Sequence, residues 1–258
     1  MAAAYLLPKL SEVGVVSLEC VLLETYDLPE DSPYDEEHLG GPFYIQLLCY
    51  LSRFSRIYTM ELIDYDFIEI GTSNFDTLIQ GADDTSVGLS VEPIKYYIDC
   101  LPDKKGVKKL NIAISDTSGE IDVYYIPEDV IVSNNLQDWF RGCNSVNKYH
   151  PLHIQHDVTH LCKIDRVPVI TPAELFTQNN VRGVKYVKID TEGHDCTILK
   201  SLYTYLESRT KDFYPKRILF ETNEHTTVDA VDEIIYMYSK LGYVVDSRGY
   251  DTILRFYK

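Results

Sequence analysis

Acids recur at places where a chain can bind a small polar ligand. The run Phe67-Ile-Glu-Ile-Gly-Thr-Ser-Asn joins a β-type segment to a helix-like one, with Glu69 near the end of the segment and Gly71 directly after it. A glycine there lets a ligand approach the backbone closely, while Glu69, Ser73, Asn74 and the following amides can hold polar atoms at the carboxyl end of a sheet, where open α/β folds bind their ligands. The next such segment ends in Leu89-Ser-Val-Glu-Pro, so that Glu92, followed by Pro93, stands about twenty residues beyond the turn, a position from which an acid accepts hydrogen bonds from ribose hydroxyls. A third segment ends at Ser115 and Asp116, which either touch an adenine edge or supply ordinary turn chemistry. A pyrophosphate-bearing dinucleotide is disfavoured because the first turn lacks the second and third glycines of G-x-G-x-x-G. This also removes a nicotinamide-dependent oxidoreductase. S-adenosylmethionine carries no phosphate, and one glycine suffices for it.

A second group of residues suits an acceptor molecule. Trp139, Arg141, Asn144, Ser145 and Tyr149 fall close together and are of the types that grip sugars by stacking and forked hydrogen bonds. His150, His153, His156 and His160, with Asp157, are metal-ligand types, but their spacing wanders around a helix and Pro151 disrupts its start, so no metal is assigned to them. A Mg²⁺ ion held by Asp190 and neighbouring acids is a less favoured alternative.

These residues need a scaffold. Short β-type runs at Asp66–Ile70, Val87–Val91, Lys109–Ser115, Tyr186–Asp190 and Arg217–Glu221 alternate with amphipathic stretches, as a parallel sheet with covering helices requires. Tyr243–Ser247 and Thr252–Tyr257, joined by Arg248, Gly249, Tyr250 and Asp251, predict a C-terminal hairpin. The helix before it is predicted to be capped by Thr226, to carry a stripe of Val228, Val231, Ile235, Tyr238 and Leu241, and to end at Gly242. Between Asp116 and Thr171 the periodicity weakens and Pro127, Asn134, Asn135, Gly142 and Pro151 interrupt it, and so long an excursion is often functional. Upstream, Val21 to Gly40 holds seven acids and no Lys or Arg, with Pro29 and Pro33 breaking any helix. We expect an N-terminal extension at 1–63, with an acidic loop at 24–40 and a covering helix within Pro42–Tyr58, followed by a catalytic domain at 64–258.

Composition excludes several classes. The formal net charge of −16 opposes a phosphate backbone, so a nucleic-acid partner is not expected. Lys104, Lys105, Lys108 and Lys109 lie close together, but read as a solvated face. Apolar residues make up 45% of the chain, no run approaches the roughly 20 needed for a membrane span, and no secretory leader is evident. Six scattered cysteines with no C-x-x-C pair suggest a reducing, cytoplasmic setting.

The stretch Val184-Lys-Tyr-Val-Lys-Ile-Asp-Thr-Glu-Gly-His-Asp-Cys-Thr-Ile-Leu-Lys resembles the signature of the FkbM family of methyltransferases, a strand ending K-I-D, then x-E-G and a helix. The order of the surrounding parts is similar too: E-I-G at Glu69–Gly71, S-V-E-P at Ser90–Pro93, N-I-A-I-S-D-T-S-G from Asn111, G-C-N-S-V at Gly142–Val146, T-P-A-E-L from Thr171 and I-L-F-E at Ile218–Glu221. The resemblance spans residues 64 to 257. It departs in the first turn, where the family usually has an Asp and a second glycine and this chain has Glu69, Gly71 and Phe75. It implies a Rossmann-like class I methyltransferase fold, a mostly parallel seven-stranded sheet with a C-terminal antiparallel hairpin and helices on both faces. It also implies S-adenosylmethionine as cofactor and O-methylation of a sugar or glycan hydroxyl, with a second copy of the chain or neighbouring glycosyltransferase domains as further partners. Such transfer needs in-line positioning of the hydroxyl and gains from a base: Asp190 first, with His194 and Glu192 as alternatives. Glu221 then either binds acceptor hydroxyls or closes the sheet edge. The competing expectation is a fold of this kind that has lost catalysis and serves as a binding or assembly module.

Overall fold

A computed structural model describes residues 61–257 apart from 147, 224 and 225. The acidic loop at 24–40 and the helix expected within Pro42–Tyr58 lie outside the described residues. Three strands begin the sheet, β1 (Ile63–Ile70), β2 (Gly88–Val91) and β3 (Val107–Leu110). β4 (Ala113–Ile114), β5 (Gly119–Tyr125) and β6 (Lys163–Ile170) form a separate small sheet, and β7 (Val181–Ile189), β8 (Arg217–Glu221), β9 (Tyr243–Arg248) and β10 (Asp251–Phe256) return to the first. The seven-stranded sheet runs β3-β2-β1-β7-β8-β10-β9, parallel through its first five strands, with β10 antiparallel to both its neighbours. The chain winds outward from β1 through β2 to β3, then restarts at β7 on the other side of β1. The order therefore reverses between β1 and β7, the point at which two strand-end turns diverge and leave a crevice.

The central strands are apolar because both faces are covered. Ile68, Leu89, Val187, Ile189, Ile218 and Phe220 are buried in one layer with Ile198, Leu199 and Leu202 of a helix following β7 and Val231, Ile234 and Tyr238 of the helix before β9. Phe67 packs on the opposite side with Ile79, Ile98 and Leu101. In chain order the helices are α1 (Leu78–Gly81), α2 (Lys95–Cys100), α3 (Glu128–Ser133), α4 (Pro151–Gln155), α5 (Pro172–Gln178), α6 (Asp195–Glu207) and α7 (Val228–Leu241).

Four expectations are corrected. The single strand predicted at Lys109–Ser115 is broken: the Asn111 side chain donates to the carbonyls of Glu92 (3.0 Å) and Pro93 (2.8 Å), and the chain leaves the main sheet there to form β4 in the second. α7 is capped by Thr227 in place of Thr226, because Thr227 directly precedes the first helical residue and its hydroxyl reaches the Ala230 amide (3.3 Å). Val228 drops out of the stripe, 65% exposed, and Ile234 takes part instead. The hairpin turn is tighter than predicted, with Gly249 and Tyr250 alone between the strands.

The excursion contains regular structure. β5 and β6 pair antiparallel from Gly119↔Val169 to Tyr125↔Lys163, and Val123, Tyr125, Val167 and Val169 pack under Ile94, which precedes α2, and Tyr97 of α2. Between these two strands a 3-10 turn at Asp138–Gly142 and α4 carry the chain back over the carboxyl ends of the parallel strands.

Candidate active site

The first turn is built by close approach. Gly71 has φ +82°, and a Cβ there would lie 1.8 Å from the Asp190 carbonyl oxygen. The Gly71 amide donates to Val91 O and the Asp190 amide to Ile70 O, both at 2.9 Å, so the ends of β1, β2 and β7 are stitched at one point. Ser73 and Asp76 also adopt left-handed backbone (φ 46° and 52°), an unusual concentration for residues with side chains. Glu92 anchors the turn from β2: one oxygen accepts from the Ser73 amide and the other from the Ile94 amide, each at 2.8 Å. Its burial raises the carboxyl to about 7 despite these two amides.

Glu69 lies beneath the turn, fully buried. It accepts from the Leu78 amide (2.9 Å) and pairs with Lys188 (3.2 Å), which also donates to Asp76 O (3.0 Å). Burial outweighs the Lys188 charge and raises Glu69 to about 7.

Above the turn opens a cleft continuous with solvent. Gly71, Ser73, Glu92, Pro93, Asn144, Ser145, Asp190, Glu192 and His194 line it, and Val91, Ile112, Ile114, Val123 and Val146 give it an apolar wall beside Glu92. The remaining residues singled out from the sequence sit elsewhere. Asn74 donates to Glu128 (3.4 Å), and Ser115 is buried against His194 while donating to the exposed Asp116 (3.1 Å). Trp139 stacks on Phe140, and Tyr149 sets its ring edge-to-face with that of Tyr124. The Arg141 guanidinium covers the Phe75 ring at 4.6 Å and pairs with Asp138 (3.0 Å). Phe75 lines the cleft.

The second turn, from β7 into α6, gathers carboxylates. Glu192 has φ +52° and Gly193 φ +91°. Fully buried Asp195 accepts from the Thr191 amide (3.2 Å) and hydroxyl (2.8 Å) with one oxygen and from the Glu221 amide (3.2 Å) with the other, tying the turn to the end of β8. Asp190, Glu192 and Glu221 consequently each bring an oxygen within 4.8 Å of the others. Acids at this spacing suit a hard divalent cation and equally suit carboxyls that share protons, and we assign no metal. Burial, and after it Lys188 in the opposite sense, sets Asp190 at about 6; burial followed by repulsion among the acids raises Glu192 to about 8 and Glu221 to about 9. His194 Nε2 meets Ser115 Oγ at 2.9 Å, and burial lowers its pKa, so the ring is neutral at physiological pH.

Sequence reasoning did not place Lys188 or Asp195 in the site, took Phe75 only as a departure in the first turn, and took His150, whose Nε2 stands 3.0 Å from Glu192 Oε2, only as a metal-ligand type. An acid at the first position of a strongly apolar helix signals Asp195; nothing in the spacing signals His150. Among the described residues the histidines of the excursion do not converge on a point: His153 contacts Cys162 Sγ (3.3 Å), and His156 packs on Trp139 and Phe140.

The arrangement can hold a nucleoside without phosphate, ribose at Glu92 and base in the apolar slot, and can receive a cation and a proton at the carboxylates. A model of one family, described as methyltransferase FkbM domain, matches residues 69–245, more than half of the chain. No curated protein matches it. Among the described residues no helix is long and apolar enough to cross a membrane.

Proposed function

The chain belongs to the FkbM methyltransferase family, and on that premise we propose that it is an S-adenosylmethionine-dependent O-methyltransferase acting on a hydroxyl of a sugar or glycan. The observation that carries this reading is the pairing of a single-glycine turn, closed against Asp190, with the Glu92 carboxylate and an apolar slot at the neighbouring strand end. S-adenosylmethionine supplies a methyl group bonded to a positively charged sulfur. We read the sheet as the Rossmann-like class I methyltransferase fold, since its order reverses between β1 and β7 and both turns that flank the reversal line the cleft.

Each residue then has a definite task. Glu92, kept in place by two amides, retains lone pairs for ribose hydroxyls. Pro93, Ile112, Ile114 and Val146 hold the base and exclude water from it. Asp190 places a carboxylate at the strand junction, where it favours a cationic sulfur in a partly desolvated site. Asn144, Ser145 and the acids Glu192 and Glu221 face or border the acceptor space with groups suited to adjacent hydroxyls.

Titration calorimetry of the full chain with S-adenosylmethionine and S-adenosylhomocysteine tests the reading. We expect a dissociation constant on the order of 1 μM, weakened at least about tenfold in Glu92→Ala. Absence of binding by the intact protein rejects it in favour of a non-catalytic assembly module.

A further inference from the structure

We infer that His150 is a positioning residue that holds Glu192 as the base for the acceptor hydroxyl; the inference rests on the O-methyltransferase reading above. His150 is fully buried at the start of α4, where Pro151 opens the helix and the Leu152 amide donates to Nδ1 at 3.2 Å. A ring nitrogen that accepts a hydrogen bond carries no proton, so the neutral ring bears its proton on Nε2. That nitrogen lies 3.0 Å from Glu192 Oε2 and donates to it. Burial keeps the His150 ring neutral, so its Nε2–H orients Glu192, whose own value of about 8 leaves an ionised fraction that grows with pH and serves as the base.

The backbone of Glu192 is strained as well as its side chain gripped. Its φ of +52° is uncommon outside glycine, and such a conformation persists only where the surroundings impose it. Asp195 fixes the preceding Thr191 through amide and hydroxyl, and His150 fixes the side chain. The second carboxylate oxygen is directed elsewhere: Oε1 lies towards Gly142, 3.8 Å from where a Cβ on that residue would stand and beside the Phe75 ring, and Gly142, Phe75 and Glu192 all line the cleft.

The alternative bases are engaged differently. Asp190 stands 3.9 Å from the Lys188 ammonium, and His194 Nε2 is occupied by Ser115. Glu192 alone of the three has one oxygen held by a ring from the excursion while the other is turned towards Gly142 in the cleft lining, the arrangement in which a third group orients a base. In the step itself the acceptor oxygen bonds to the methyl carbon, the methyl–sulfur bond breaks with its electron pair left on sulfur, and the hydroxyl proton passes to Glu192 Oε1.

The test combines a measurement that needs no acceptor with one that does. Long-range proton–nitrogen correlation spectra of the full chain report which ring nitrogen of His150 is protonated. We expect Nε2, with a resonance that moves in Glu192→Gln; a proton on Nδ1, or an Nε2 signal indifferent to that substitution, overturns the inference whether or not an acceptor has been found. Methyl transfer from labelled S-adenosylmethionine to a panel of methyl glycopyranosides supplies the second arm. Glu192→Gln is expected to lose about 10²- to 10⁴-fold in kcat, the usual contribution of a positioned base, while S-adenosylhomocysteine binding stays within about threefold of wild type. His150→Asn loses at least about tenfold in kcat, and His150→Gln, whose side-chain nitrogen reaches the place of Nε2, recovers most of that loss. Equal turnover by His150→Asn and His150→Gln marks a packing role and overturns the inference. Failure of the unaltered chain to bind S-adenosylhomocysteine instead rejects the methyltransferase reading beneath it.

Discussion

Replacing Gly71 by alanine tests whether the first turn is held by close approach of β1 and β7. The added Cβ would meet the Asp190 carbonyl at 1.8 Å and its carbon at 2.7 Å, where ordinary contact begins at 3.4 Å, so the obstruction is backbone and cannot rotate away. At φ +82° an L-residue also pays about 1–2 kcal/mol for left-handed geometry. Separating the strand ends enough to admit the methyl breaks or lengthens the Asp190–Ile70 and Gly71–Val91 hydrogen bonds, about 1 kcal/mol each. The expected loss is therefore about 3–4 kcal/mol, a large share of the about 5–15 kcal/mol typical of a domain. Urea denaturation followed by far-ultraviolet circular dichroism measures it, with Gly81→Ala as the matched control. Gly81 has nothing within 4 Å of an added Cβ and ends α1, so alanine there is expected to be neutral or to stabilise by up to about 1 kcal/mol. Gly71→Ala with stability within about 1 kcal/mol of wild type and unchanged S-adenosylhomocysteine affinity would refute the reasoning.

Asp195→Ala removes the acceptor for the Thr191 amide and hydroxyl and for the Glu221 amide; we expect about 3 kcal/mol of destabilisation by urea denaturation, and a loss below about 1 kcal/mol would show that the turn holds itself. Glu192 and Glu221, raised to about 8 and about 9 from an ordinary 4.5, keep protons in the folded state that the unfolded chain releases. Their contribution is most favourable below pH 4.5 and falls as pH rises towards their folded values, so the urea midpoint should decline between about pH 5 and 9 and decline less in Glu221→Gln; identical slopes for the two proteins would count against burial of these acids. Phe75→Ala strips the ring from beneath the Arg141 guanidinium and opens the cleft wall, and calorimetry should show S-adenosylhomocysteine bound about tenfold more weakly, whereas undiminished affinity would place Phe75 outside the ligand's reach.

The sequence by itself determined the parallel half of the main sheet and the two strand-end turns that line the cleft. β2, the second half of β1 and the middle of β8 are buried and read as short β-type runs, β7 repeats Val181, Val184, Val187 and Ile189 as its buried positions, and a glycine or acid at the strand ends marks where the chain must turn. It also gave α7, because a one-sided helix repeats its apolar residues at helical spacing, although the choice between Thr226 and Thr227 as cap turned on a single residue of register. β5 and β6 were hidden because Pro168 interrupts β6 and Tyr124 occupies an outward position of β5, which obscures the alternation of Val123 and Tyr125 and of Val167 and Val169. Arg141 shows the limit of residue type as evidence: its guanidinium suits a sugar, yet packing spends it on Phe75 and Asp138. Only the tertiary structure decided which polar groups meet. His150 and Glu192 lie 42 positions apart, on an excursion and a strand-end turn. No local pattern records such a pairing, because hydrophobic periodicity reports which face of an element is buried, while the convergence of distant side chains depends on how the crossovers pack over the sheet.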